Sequence, residues 1–136
     1  MRIAWFASSL VSAYWNGAAT YYRGLVRALH ERGHRVLFLE PDAFERQAHR
    51  DIDDPGWAEV HVYPPERWEE ALGRARGADV VVKASGVGVN DAELEAGVLE
   101  LDAGAAIFWD VDAPATLSRL ENDPDDAFRE LVPRYD

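Results

Sequence analysis

The sequence predicts an α/β fold, and three observations carry the prediction. Five short apolar runs recur along the chain, at residues 3–7, 36–39, 58–63, 79–83 and 105–109. The stretches between most of them place apolar residues at helical spacing. Glycine and proline mark the borders, with Gly33 and Gly77 ending helical patterns and Pro41 and Pro64-Pro65 ending or opening elements. Strands separated by single helices imply right-handed crossovers and a sheet covered on both sides. The expected architecture is a Rossmann-like three-layer sandwich with a mostly parallel sheet of about five strands.

Taken in order, residues 3–7 form a near-continuous apolar run, as a strand covered on both faces requires. Met1 to Ser9 briefly imitates a signal peptide, but the run is short and passes straight into a structured pattern, so it reads as a first strand. A helix follows from Asn16 or Gly17, with Ala18, Tyr21, Tyr22, Leu25, Ala28 and Leu29 on its apolar stripe and Gly33 as its left-handed terminator. Val36 to Leu39 is a second buried strand. Residues 42–57 have no clear period and read as a short polar helix at most, then an acidic turn at 53–56. Residues 58–63 alternate as a strand. The helix opened by Pro64-Pro65 buries Trp68, Ala71, Leu72 and Ala75 and ends at Gly77. After the strand 79–83, Asn90 and Glu93 have capping-box spacing ahead of a helix that buries Leu94, Gly97, Val98 and Leu101. The strand 105–109 precedes one or two short helices, the last over about 125–132 with Asp123 as its cap.

One domain, residues 1–136, suits this length. A content of 48% hydrophobic residues, with five each of Trp, Tyr and Phe, can build a core. The absence of cysteine removes disulfides, a thiol nucleophile and Cys-ligated metal centres from consideration. No apolar run approaches the ~20 residues of a membrane span, and a cytoplasmic location is expected. The net charge of −11 is uneven: residues 1–77 carry ten basic and eleven acidic side chains, whereas residues 78–136 carry four and fourteen. Such a surface disfavours nucleic acid.

Ligands of parallel α/β sheets sit beyond the carboxyl ends of the strands, so the loops after strands one, four and five hold the candidate residues. The first lacks G-x-G-x-x-G, and no P-loop motif occurs anywhere. It offers Asn16 and Gly17 at a helix N-terminus, suited to an anion or a hydroxyl-rich ligand, with helix capping as the alternative for Asn16. Lys83, the only lysine, ends an otherwise apolar strand; it either contacts a ligand or pairs with a nearby carboxylate. Ser85 and Gly86 would allow close backbone approach to a ligand. Asp110 and Asp112 form an Asp-x-Asp pair that could bind Mg²⁺, serve acid–base chemistry, or contact a neutral hydroxyl-rich substrate, while Asp112 could equally cap a helix ahead of Pro114. The four histidines do not cluster at metal-ligand spacing.

The opening Met1-Arg2-Ile3-Ala4-Trp5-Phe6, then Asn16-Gly17, then Leu25 to Leu29 with Arg32-Gly33-His34 and Val36, is similar to the start of GT-B glycosyltransferases. Residues 79–88 and 108–116 resemble the spore-maturation-type branch more specifically. The resemblance implies a two-domain enzyme that moves a sugar from a nucleotide-sugar donor to an acceptor, generally without metal or other cofactor. This chain is too short for both halves and is expected to be the N-terminal, acceptor-side domain, inactive alone, with the donor held mostly by a C-terminal domain. By the same resemblance Asn16 and Gly17 approach the sugar or acceptor, Ser85 and Gly86 line the cleft, and Asp110 and Asp112 face the donor domain. An exposed interdomain face would favour self-association. Two other readings are a stand-alone binding or regulatory module of flavodoxin-like shape and a Mg²⁺-dependent Asp-x-Asp phosphohydrolase.

Overall fold

The computed structural model describes residues 1–136 and shows a sheet of five strands, all parallel. The strands are β1 (Arg2–Phe6), β2 (Arg35–Pro41), β3 (Glu59–Tyr63), β4 (Val80–Ala84) and β5 (Ala105–Trp109). The helices are α1 (Ala18–Glu31), α2 (Trp68–Ala75), α3 (Asp91–Gly97), α4 (Ala113–Asn122) and α5 (Phe128–Leu131). The expected Rossmann-like sandwich is therefore present, with strand order β3-β2-β1-β4-β5. The chain builds outward from β1 through β2 to β3, then returns to lay β4 against the other side of β1. That reversal opens a crevice at the carboxyl ends of β1 and β4, where parallel α/β sheets bind ligands.

Alternation along each strand sends residues to two cores. Ala4, Phe6, Leu37, Leu39 and Val81 face α2 and α3. Ile3, Trp5, Val36, Phe38 and Val82 face α1, meeting its buried Tyr22 and Val26. Both faces being covered explains why β1, β2 and β4 are nearly unbroken apolar runs. No helix is long and apolar enough to cross a membrane.

Several local expectations change. The helix expected within residues 42–57 is a single 3₁₀ turn, Gln47–His49. A 3₁₀ turn, Pro65–Arg67, precedes α2, consistent with proline opening the element. The Asn90–Glu93 capping box does not form: Asn90 is left-handed, at φ 55°, and its side chain makes no capping bond. Asp91 instead accepts the Val87 and Gly88 amides and so fixes the loop ahead of α3. The last helix is shorter than 125–132, and Asp126 rather than Asp123 accepts the Phe128 amide at its start. Gly33 stands at φ 82° after α1, the left-handed conformation its place demanded.

Candidate functional site

The first loop, residues 7–17, is tied down from inside. Asn16 Oδ1 accepts the Ser8 hydroxyl at 2.8 Å, and Asn16 Nδ2 donates to the Ser9 and Ser12 carbonyls at 2.9 and 3.0 Å. Asn16 is therefore not a side-chain cap for α1; its amide closes the loop instead, and Gly17 takes the N-cap position. Below the loop Glu40, fully buried, accepts the Ser9 hydroxyl, the Leu10 amide and the Gln47 amide group. Burial pushes its carboxyl above the ordinary value, against these hydrogen bonds.

At the crevice lies a cavity of about 570 Å³. Asn16, Gly17, Gly86, Asp110 and Asp112 line it, which gathers five of the seven site candidates. The order of the sheet does this: loops after β1, β4 and β5 converge because those strands are neighbours. Ser85 lies just behind, where its hydroxyl donates to Asp110 Oδ1 at 2.8 Å and accepts the Val111 amide at 2.9 Å. Lys83 is the exception. It is fully buried, and its ammonium donates to the Ala84 carbonyl at 2.6 Å and to Asp91 at 2.7 Å, away from the cavity lining. The apolar strand forced a choice between its two readings, and the ion pair is the one formed.

Each carboxylate of the Asp-x-Asp pair spends one oxygen on the fold. Asp110 Oδ1 also accepts the Thr116 hydroxyl at 3.0 Å and the Asp112 amide at 3.1 Å. Asp112 Oδ1 accepts the Ala115 amide at 3.3 Å and so caps α4, whose first turn carries Pro114. The second oxygen of each has no protein partner. The pair is a pre-oriented acceptor edge, not gathered with a third acidic or histidine side chain.

Aromatic rings complete the walls. Trp15, Tyr21 and Trp109 line the cavity, with the Tyr21 and Trp109 centroids 6.1 Å apart and Trp109 packed 5.7 Å from Trp5. Trp15 is 84% exposed. Tyr22 also lines the cavity, and burial pushes its hydroxyl up to about 12.

One lining residue has no counterpart among the sequence candidates. Arg46 reaches the cavity from the segment after β2 and is 7% exposed. Its Nη2 donates to the Trp15 carbonyl at 3.3 Å, and its guanidinium lies 4.9 Å over the Phe44 ring. Burial pulls it below the ordinary arginine value. Trp15, Phe44 and Glu45 all hold positive φ, between 45° and 56°, a conformation costing about 1–3 kcal/mol per non-glycine residue. No helical period marks residues 42–46, so only the isolated arginine beside an apolar Phe44 could have drawn notice.

No protein family, no curated protein and no solved structure matches this chain.

Proposed function

We propose that this chain is the acceptor-side domain of a GT-B glycosyltransferase, binding a saccharide at the β1/β4 crevice. The observation that supports the reading is the pairing of aromatic walls with two half-free carboxylates in one cavity. The C–H faces of a pyranose pack on rings such as Trp15, Tyr21 and Trp109, while its hydroxyls donate to carboxylates in charge-assisted hydrogen bonds. In the transfer proposed, an acceptor hydroxyl oxygen bonds to the anomeric carbon as the bond from that carbon to the nucleotide diphosphate breaks. Asp112 or Asp110 takes the hydroxyl proton as general base. The leaving diphosphate is met by the C-terminal domain, so this half alone binds without turnover.

Thermal-shift titration against saccharides and nucleotide sugars, with and without Mg²⁺, tests the proposal. A saccharide at a hundred times its dissociation constant adds ~2.7 kcal/mol, roughly 8 °C in Tm for a chain of this size. The shift is expected with a saccharide, without Mg²⁺, and is lost in Trp109→Ala and in Asp112→Ala. No saccharide response would overturn the reading. Mg²⁺-dependent release of phosphate from simple esters would replace it with the phosphohydrolase.

A further inference from the structure

The cavity at the crevice has a neighbour. A second hollow of about 390 Å³ adjoins it, and Trp15, Arg46 and Gly86 line both. Tyr14, Phe44, Glu45 and Gly88 add to its walls. Concave sites of roughly 300–1,000 Å³ suit small-molecule ligands. Trp15 and Phe44 bring large apolar rings to this hollow, and they are 84% and 51% exposed. Exposed rings gathered in one place mark a binding surface more often than scattered ones do.

The backbone is strained to present them. Three of the four non-glycine residues at positive φ, Trp15, Phe44 and Glu45, line this one hollow. Bulky left-handed residues persist only where their surroundings fix them. Here the Arg46 guanidinium lies 4.9 Å over the Phe44 ring, and Arg46 also donates to the Trp15 carbonyl. Tyr14, beside Trp15, stacks on His49 at 3.8 Å. Gly88, at φ 97°, makes room, since a Cβ there would stand 2.8 Å from the Phe44 ring. Rings that stay in water contribute little to folding, so a ligand that covers them accounts for the strain.

Charge narrows the ligand class. Asp110 and Asp112 border the first cavity, and Glu45 lies exposed at the second. The one basic residue of either lining, Arg46, is buried. Carboxylates accept hydrogen bonds from hydroxyls and repel anions. A neutral ring with an apolar face and a hydroxyl edge matches both the aromatics and the carboxylates. We propose that the second hollow is a saccharide subsite, and that the ligand is a neutral oligosaccharide of at least two rings. It lies across Trp15, with one ring against Tyr21 and Trp109 and the next against Phe44. This inference rests on the saccharide reading and specifies its substrate class.

The test uses the full chain with glucose, mannose and N-acetylglucosamine, and with cellobiose, mannobiose and chitobiose as the matching disaccharides. Titration calorimetry and amide chemical shifts are the readouts. The preferred disaccharide is expected to bind about tenfold tighter than its monosaccharide, and it alone moves the Gly88 amide resonance. Phe44→Gly, which suits the left-handed backbone, is expected to bind the single and the double ring equally. Equal binding by the unsubstituted chain, or a gain that survives Phe44→Gly, overturns the subsite and leaves the saccharide reading standing. If Phe44→Gly does not fold, a Gly88 shift induced by the disaccharide alone in the unsubstituted chain supports the subsite, and its absence overturns it. Tighter binding of a hexose phosphate than of the free hexose overturns the neutral class. No binding of any saccharide overturns the reading and the subsite together.

Discussion

The two faces of the sheet are finished differently, and β5 shows both finishes on one strand. Toward α2, α3 and α5, Phe108 is packed 4.6 Å from Phe128 and 5.7 Å from Tyr135. Every residue of β5, Phe108 included, is only partly buried, but toward α1 Ile107 and Trp109 have that one helix for cover, whereas Phe108 has the Phe128 and Tyr135 rings against it. α4 does not complete the α1 side: none of its residues is buried, and Arg119 ties it to Glu95 and Asp126 instead. Both faces carry a buried core, and the thinner cover on the α1 side of β5 is what leaves the cavity. A parallel sheet demands apolar cover on both sides, so where cover is missing, exposed aromatics become binding walls.

The comparison breaks most easily by truncating one residue from each face. Leu94→Ala, on the fully buried side of α3, is expected to cost about 3 kcal/mol. Ile107→Ala, on the thin side of β5, is expected to cost about 1 kcal/mol, since part of its surface is wet already. Urea unfolding of the two variants checks this; equal losses would mean that the α1 face is as well sealed as its opposite.

The polar ties differ too. The α1 face is stitched by Arg23, which donates to the Leu10 carbonyl and grips Asp51 at 2.7 and 2.8 Å. That grip, with the Ala13 amide, holds the Asp51 carboxyl at about 2 against an ordinary 3.8. A depressed carboxyl stabilises the fold above its unfolded value, so the contribution is complete above pH ~4 and fades as pH falls toward 2. The pair is partly exposed and screened, which limits it to about 0.5–1 kcal/mol. Asp51→Asn should flatten that part of the stability profile when unfolding is followed between pH 5 and 2.

The same contrast shows what the sequence could reveal. All five strands and the parallel architecture were legible, because doubly covered strands must be apolar throughout and their helices must carry one apolar stripe. The five cavity-lining candidates were legible from topology, since strand ends define the crevice. Arg46 was not. Its segment owes its shape to left-handed residues at Phe44 and Glu45 and to a single 3₁₀ turn, none of which leaves a period. Asn16 misled in a different way: its type suits a cap, but three loop partners compete for the same side chain and win. Asn90 likewise makes no cap: it sits left-handed at the head of α3, where Asp91 holds two loop amides and Lys83 together.

The smallest expected effect probes α4. Leu117 is 60% exposed on that helix, and Val111, in the loop before it, is 38% exposed. A solvated leucine contributes little, so Leu117→Ala should change stability by no more than about 0.5 kcal/mol, with a Tm independent of protein concentration. A larger loss, together with a Tm that rises with concentration, would show that a second copy covers this edge. In that case the thin face is thin only within one chain, and the cavity beside it is walled partly by a neighbour. A negligible, concentration-independent effect leaves α4 as free surface, available to the second domain that the transferase reading requires.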